Sequence, residues 1–239
     1  MKFSEKIVEW IKKQVKDTGK KGLVFGLSGG IDSAVLGALL KKALGDNVLG
    51  LILPCKSNPK DESLAKEAAQ KFNIKTKIVK LDGVFNEISK TNPDSNNLAQ
   101  ANLKPRLRMT TMYYFANSMD YLVAGASNKS EITVGYFTKF GDGGADLLPL
   151  GNLLKKEVRA LAVELEVPQE IISRPPSAGL WDNQTDETEM GITYDELDKV
   201  IVAIEKNELE QIDKALLSKV RGMMATSKHK RGEIPVFKK

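Results

Sequence analysis

The run Ser28-Gly29-Gly30-Ile31-Asp32-Ser33 concentrates paired glycines, hydroxyls and a carboxylate in one short stretch. Adjacent glycines let successive backbone N–H groups converge on an anion without a Cβ in the way. A helix starting beside them adds its partial positive charge. Ser28 and Ser33 can donate hydroxyls to the same anion, and Asp32 can hold a hard cation such as Mg²⁺ against phosphate oxygens. On residue types alone, the alternative is a glycine turn whose serine merely caps the next helix. The Lys-[Ser/Thr] ending of a Walker loop is missing, and so is G-x-G-x-x-G spacing. Support is thereby withdrawn from γ-phosphoryl transfer and dinucleotide redox chemistry, and a pyrophosphate grip remains.

Such a loop needs a strand before it and a helix after it. Phe3, Ile7, Ile11 and Val15 recur at helical spacing with Gly19 as a stop, which predicts an amphipathic helix over 3–17. Residues 22–27 read as a buried strand and 33–44, closed by Gly45, as a helix. A strand at 47–53, a charged helix at 61–72 and a strand at 74–81 repeat the alternation, predicting parallel strands joined by right-handed crossovers. Pro105 fits the first turn of a helix running through Arg108, Met112 and Phe115, with a strand at 121–125 after it. Residues 127–154, rich in Gly, Lys and Asp, show neither period and are expected to form a functional loop region over the ligand edge of the sheet. Helices are expected again at 155–166, after the capping-box sequence Thr193-Tyr194-Asp195-Glu196, and at 208–224. No repeat or linker divides the chain. The expected architecture is therefore one α/β domain over 1–239, with a parallel sheet flanked by helices and a basic tail over 227–239.

Composition narrows the chemistry. A chain of 239 residues, 41% hydrophobic and 28% charged, can bury roughly 70–75% of its unfolded surface, which excludes disorder and coiled coil. The stretch Val48-Leu49-Gly50-Leu51-Ile52-Leu53-Pro54 is far below the ~20 residues that cross a bilayer, and Met1-Lys2-Phe3-Ser4-Glu5 lacks a signal-peptide pattern, so a cytoplasmic protein without membrane contact is expected. One cysteine, Cys55, and one histidine, His229, exclude an intrachain disulfide and a Cys/His zinc cluster; a metal would be hard and oxygen-bound. The net charge of +5 crowds into Lys228, Lys230, Arg231, Lys238 and Lys239. That suits an anionic small molecule, and no aromatic-interleaved basic motif argues for nucleic acid.

The loop resembles that of the N-type ATP pyrophosphatases, which retain pyrophosphate while ATP adenylylates a substrate. Residues 135–146, Gly-Tyr-Phe-Thr-Lys-Phe-Gly-Asp-Gly-Gly-Ala-Asp, narrow this, as do Pro176-Ser177-Ala178-Gly179-Leu180-Trp181, Gln184-Thr185-Asp186-Glu187 and His229-Lys230-Arg231. Together they are similar to the ammonia-dependent NAD synthetase family over essentially the whole chain. The resemblance implies a Rossmann-like, adenine nucleotide alpha hydrolase-like fold in three layers. It also implies a ligase that adenylylates the nicotinate carboxylate of deamido-NAD with ATP and Mg²⁺, releases pyrophosphate, and lets ammonia displace AMP to form NAD. A homodimer with the deamido-NAD site near the subunit interface belongs to the same expectation.

Carried over by position, the resemblance assigns ATP to Gly26, Leu27, Ser28, Gly29, Gly30, Ile31, Asp32, Ser33, Ala126, Lys155 and Ser177. Metal falls to Asp32 and Glu131, deamido-NAD to Arg106, Lys139, Asp146, His229 and Lys230, and catalysis to Asp32, Asp146 and Lys155. From residue types alone, Glu131 is a solvated helix-start acid, Lys155 a surface lysine beside Lys156, Asp146 a turn acid, and His229 part of an exposed tail. Arg106 and Arg108 lie about 200° apart around a helix, so only one can face a given ligand, and Arg106 is the choice. Ala126 departs from the family's usual threonine, which leaves Ser127 to supply a hydroxyl, and the tail after Arg231 is short. No unassigned stretch of ~100 residues remains for a glutamine amidase domain, so free ammonia is the expected nitrogen donor. Two other readings share the loop: a tRNA-thiolating pyrophosphatase, disfavoured by the lone Cys55, and a nucleotide-binding module without turnover.

Overall fold

Leu23–Gly26 (β1) is short, apolar and bounded by glycines, and it occupies the middle of an all-parallel sheet ordered β3-β2-β1-β4, with β2 at Val48–Ile52, β3 at Lys75–Ile78 and β4 at Leu122–Ala124. The computed structural model describes residues 2–179, 181 and 184–238; Met1 of the leader reading, Leu180 of the Pro176–Trp181 motif and Lys239 of the tail lie outside the described residues. Register pairs Phe25 with Gly50 on one side and Ala124 on the other. Strand order reverses between β1 and β4, which makes the ends of those strands the switch point where ligands of open α/β sheets bind.

Helices cover both faces. Leu23 and Phe25 turn into a core built with α1 (Phe3–Thr18), α2 (Ile31–Leu44), α3 (Pro59–Lys71), α7 (Lys155–Glu164) and α8 (Gln169–Ser173), whereas Val24, Leu51 and Val123 turn the other way onto α5 (Asn97–Met119). The alternation is the two-residue period of a strand buried on both faces. Helix α2 is apolar nearly all round because it lies between the sheet and α1 and α7. The short α4 (Asp82–Lys90) precedes α5, and no α4 residue is buried.

A third apolar cluster stands apart from the sheet. It joins α6 (Lys129–Val134), α9 (Asp186–Met190), α10 (Tyr194–Lys206) and α11 (Lys214–Thr226) through Val134, Met190, Tyr194, Leu197, Val200 and Val220. The last described helix is α12 (Lys228–Arg231).

Three expectations need correction. Pro105 lies inside α5, not in its first turn: the helix starts earlier, at a cap where Asn96 accepts from the Ala99 N–H at 2.8 Å. Proline's missing N–H is tolerated there, and its buried ring packs at Gly141, where an added Cβ would lie 3.1 Å away. Residues 127–154 contain α6, whose six residues are too few to show a period although Asn128 and Glu131 form its capping box. The expected helix over 208–224 is a 3₁₀ turn at Leu209–Gln211 followed by α11, which Asp213 caps by accepting from Leu216 N–H at 2.9 Å. No helix among the described residues is long and apolar enough to cross a membrane.

Gly37 tests the packing of α2 on the sheet. A Cβ there would lie 2.9 Å from both the Phe25 ring and Ile74 Cδ1. Alanine's helix-propensity gain of about 1 kcal/mol is set against an overpacking cost of about 1–3 kcal/mol. Gly37→Ala is therefore expected to lower the urea-unfolding free energy; a gain in stability would show that the contact is slack.

Candidate active site

The glycine loop leaves β1 and turns directly into α2. Gly29 has φ +82° and faces the start of α3: a Cβ there would meet the Asp61 carbonyl at 2.4 Å, so glycine is needed for both conformation and approach. Gly26 ends β1, and Leu27 N–H donates to the Leu51 carbonyl at 2.9 Å. Helix α2 begins at Ile31, with Gly30 as an N-cap that has no side-chain cap, so Ser28 is not a simple capping serine. Instead, the Ser28 and Ser33 hydroxyls lie 3.1 Å apart, Ser33 Oγ donates to the Gly30 carbonyl at 2.9 Å, and Gly30 N–H donates to Ser28 Oγ at 3.3 Å. The loop is thus braced from within while the first N–H groups of α2 open toward its mouth.

Asp32, Glu131 and Lys155 meet beside this loop. Lys155, at the start of α7, is 1% exposed, and its Nζ lies 2.5 Å from Asp32 Oδ2 and 3.3 Å from Glu131 Oε1. The surface-lysine and solvated-acid readings therefore fail. Burial works to lower the Lys155 pKa, but Asp32 and then Glu131 outweigh it, leaving the ammonium held in its charged form. Glu131 is pushed up to about 7 by burial, against the pull of Lys155 and with a further push from Asp32.

Sequence reasoning missed several members of this cluster. Asn128 Nδ2 donates to Asp32 Oδ1 at 2.9 Å while Asn128 Oδ1 accepts from Glu131 N–H at 3.0 Å, so the residue before α6 orients both acids. Tyr194, fully buried at the start of α10, places its ring 4.7 Å below the Lys155 ammonium and its hydroxyl 2.9 Å from Asp186 and 3.2 Å from Glu131. Asp186, from the Gln184–Glu187 motif, is raised by burial, against the pull of Lys155 and of the Tyr194 and Tyr136 hydroxyls. The Asn-x-x-Glu and Thr-x-x-Glu cap patterns were visible in the sequence; that their neighbours converge on one lysine was not.

The expected dinucleotide residues are partly brought together. Arg106 Nε donates to the Lys139 carbonyl at 3.3 Å, and Lys139 Nζ donates to the His229 carbonyl at 2.7 Å. Lys230 Nζ donates to the Gly135 and Phe137 carbonyls, both at 2.9 Å, so the tail is docked on the 135–140 segment rather than loose. Asp146 stands elsewhere: its carboxylate accepts from Val123 N–H at 2.7 Å and from the Tyr113 hydroxyl at 3.1 Å, tying its segment to β4. Arg108 turns inward as the helical angle requires, donating to the Leu53 carbonyl at 3.1 Å and to Ser57 Oγ at 3.0 Å. Ser177 is exposed on a segment that the Arg174–Asp61 ion pair, 2.6 Å, holds near Gly29. Ala126 is half-buried after β4, beside buried Ser127. Cys55 lies buried in the core under β2, and burial pushes its thiol up, which suits a structural role.

Asp32 and Glu131 offer hard oxygen donors that fit Mg²⁺. Among the described residues no set of three or more His, Cys, Asp or Glu side chains converges as a metal site. A metal here would therefore take its remaining ligands from phosphate and water, as Mg²⁺ does in nucleotide sites.

A parallel sheet with a glycine loop and an acid pair at its switch point defines a nucleotide-binding α/β enzyme class. Comparison with known proteins sharpens it. The NAD synthase family model matches residues 3–234. The chain is 45% identical to the NH(3)-dependent NAD(+) synthetase of Carboxydothermus hydrogenoformans, over 98% of this chain and 97% of that protein. It matches the structure of NMN synthetase from Francisella tularensis with TM-score 0.91 and 36% identity, covering 98% of this chain and 96% of that one. It matches the NH3-dependent NAD synthetase from Campylobacter jejuni in complex with nitrate with TM-score 0.86 and 29% identity, covering 98% and 97%. The chain belongs to the NAD synthase family.

The state of Glu131 carries a pH signature. Its folded pKa of about 7 lies above the ordinary value of 4.5, so the folded state binds the extra proton. That stabilisation is full below about 4.5 and is lost as pH rises through about 7. In EDTA, wild-type unfolding free energy should fall across this window relative to Glu131→Gln. Parallel curves for the two proteins would contradict the buried environment assigned to Glu131.

Proposed function

We propose that the chain catalyses the amidation of deamido-NAD: ATP adenylylates the nicotinate carboxylate, pyrophosphate leaves, and ammonia displaces AMP to give NAD. The single observation that carries this reading is the buried Lys155 ammonium between Asp32 and Glu131 at the mouth of the glycine loop. A carboxylate resists ammonia because it is anionic and has no good leaving group; the acyl adenylate has lost that charge and offers AMP. The site must therefore bring two polyanions together and then release pyrophosphate.

The residues divide this work. The loop from Gly26 to Ser33 receives the β- and γ-phosphates through backbone N–H groups and the Ser28 and Ser33 hydroxyls. Lys155, fixed by its acid partners and the Tyr194 ring, meets the α-phosphate, where charge builds as the carboxylate attacks. Asp32 and Glu131 would hold Mg²⁺, which supplies charge neutralisation and orientation of the triphosphate. Ser177 reaches the nucleotide from its tethered segment. Arg106, Lys139, His229 and Lys230 form the basic wall for the dinucleotide. Asp146 enters this reading as the acid that holds the 145–147 segment against β4 beside the acceptor. The curated relatives are named NH(3)-dependent NAD(+) synthetases, which supports free ammonia as the nitrogen donor.

A homodimer belongs to this reading, and Val84 and Ile88, four residues apart on α4 and exposed although large and apolar, offer it a contact. A cytoplasmic location belongs to the same reading and is compatible with ATP as co-substrate. A second acceptor, the mononucleotide acid whose amide is NMN, is favoured by the match to the Francisella structure.

Purified chain with ATP, Mg²⁺, ammonium and deamido-NAD should release AMP and pyrophosphate in equal amounts; ADP would contradict the reaction class. A competing mononucleotide acid sets the preferred acceptor by the ratio of amide products. Asp32→Ala should lower turnover by about 100-fold or more and should also lower the thermal midpoint, because it leaves the buried Lys155 ammonium without its nearest acid. Lys139→Ala should raise KM for deamido-NAD more than for ATP, and an equal rise would move that lysine to the nucleotide side.

A further inference from the structure

Lys155 is the first residue of α7, and Leu154 before it offers no side-chain cap. A buried helix end left this way would strand its first N–H groups. They are met from other elements. Lys155 N–H donates to Ser130 Oγ at 2.9 Å, Ser130 Oγ donates to Asp198 Oδ1 at 2.5 Å, and Lys156 N–H donates to Asp198 Oδ2 at 3.0 Å. Asp198 is 1% exposed and Ser130 0%. One carboxylate on α10 thus caps α7 and grips α6 together, and α6 carries Glu131 next to Ser130.

Asp198 sits four residues after Tyr194, so both face the same side of α10. The two act at opposite ends of one side chain. Tyr194 supports the Lys155 ammonium from below and touches Glu131, while Asp198 anchors the backbone next to it, accepting from Lys156 N–H directly and holding the Ser130 hydroxyl that accepts from Lys155 N–H. The third apolar cluster, remote from the sheet, thereby acquires a role: Leu197, Val200 and Ile201 of α10 pack it in place as the frame for the lysine.

We propose that Asp198, acting through Ser130, is a positioning residue for Lys155, and that with Tyr194 it makes α10 the element that sets where the ammonium stands. The inference rests on the reading of Lys155 as the lysine that meets ATP phosphate. Asp198 and Ser130 touch no substrate in this account; they fix where the ammonium stands. A purely structural role would lower stability and leave the chemical step alone. A positioning role lowers the rate of adenylylation and does so only while Lys155 is present.

The test measures single-turnover pyrophosphate release with wild type, Asp198→Asn, Ser130→Ala, Lys155→Ala and the pairs Asp198→Asn/Lys155→Ala and Ser130→Ala/Lys155→Ala. Asp198→Asn and Ser130→Ala should each slow the step about tenfold with KM for ATP changed less. In the Lys155→Ala background either change should add less than about twofold. Equal slowing in both backgrounds, or wild-type rates with only a lower thermal midpoint, overturns the proposal. If Asp198→Asn fails to fold, Ser130→Ala carries the same comparison.

A ¹⁵N-edited spectrum of the Lys155 ammonium reads the placement without turnover. Its signal should be protected in wild type and be shifted or lost to exchange in the Ser130→Ala protein; an unchanged signal overturns the proposal. A wild type that releases no pyrophosphate with any acceptor sinks the reaction assignment instead, and the spectrum still decides the role of Asp198 and Ser130.

Discussion

The constraint on which the site depends is the desolvation of one ammonium. Taking Lys155 out of water costs several kcal/mol unless acids face it, and removing one partner of such a pair typically costs about 3–5 kcal/mol. The acids that face it, Asp32 and Glu131, come from opposite sides of the strand-order reversal: Asp32 follows β1 and Glu131 follows β4. The ion cluster can form only when those strands are adjacent and in register, so sheet topology and local electrostatics specify each other. Asp186 stands behind the cluster, 2.9 Å from the Tyr194 hydroxyl.

The three apolar clusters divide the labour around that point. The two cores on the sheet faces hold the glycine loop and the start of α3 at fixed distance, with Gly29 against the Asp61 main chain and the Asp61 side chain on Arg174. The third core carries α10 and α11, and α12 follows on from α11. Between α11 and α12, Ser227 closes on Gly135, where any Cβ would collide with it at 2.2 Å, and from α12 Lys230 clasps the Gly135 and Phe137 carbonyls. These contacts dock the tail onto the 135–137 segment. The departure at Ala126 costs a hydroxyl at the mouth of β4 and leaves the cluster of acids and lysine untouched.

Much of this was legible in the residues. The strand, glycine loop and helix at 22–44 follow from apolar runs between glycines, and the alternation at 47–81 follows from spacing; both lie where the sequence indicates, with ends shifted by a few residues. Pro105 misled because proline's preference for a first turn is local, whereas burial of its ring against Gly141 is tertiary. Helix α6 was hidden by its length, and only the Asn128 and Glu131 cap betrayed it. Lys155 is the clearest case of partial legibility: its type and position resemble the family's, yet residue chemistry alone favours a surface lysine. What makes it otherwise is the convergence of α2, α6, α7 and α10, which is long-range packing and leaves no periodic trace. Ser130 and Asp198 were silent for the same reason.

The central claim is that the turn after β1 and the acid pair beside it hold a triphosphate whose β- and γ-phosphates depart together. A crystal structure with Mg²⁺ and an ATP analogue methylene-bridged between the α- and β-phosphates tests it most directly. The account predicts the β- and γ-phosphates against residues 28–33, a metal ion touching Asp32 and Glu131, and Lys155 Nζ on the α-phosphate. A triphosphate seated away from that turn, with Lys155 still closed on both acids and no cation beside them, would contradict it.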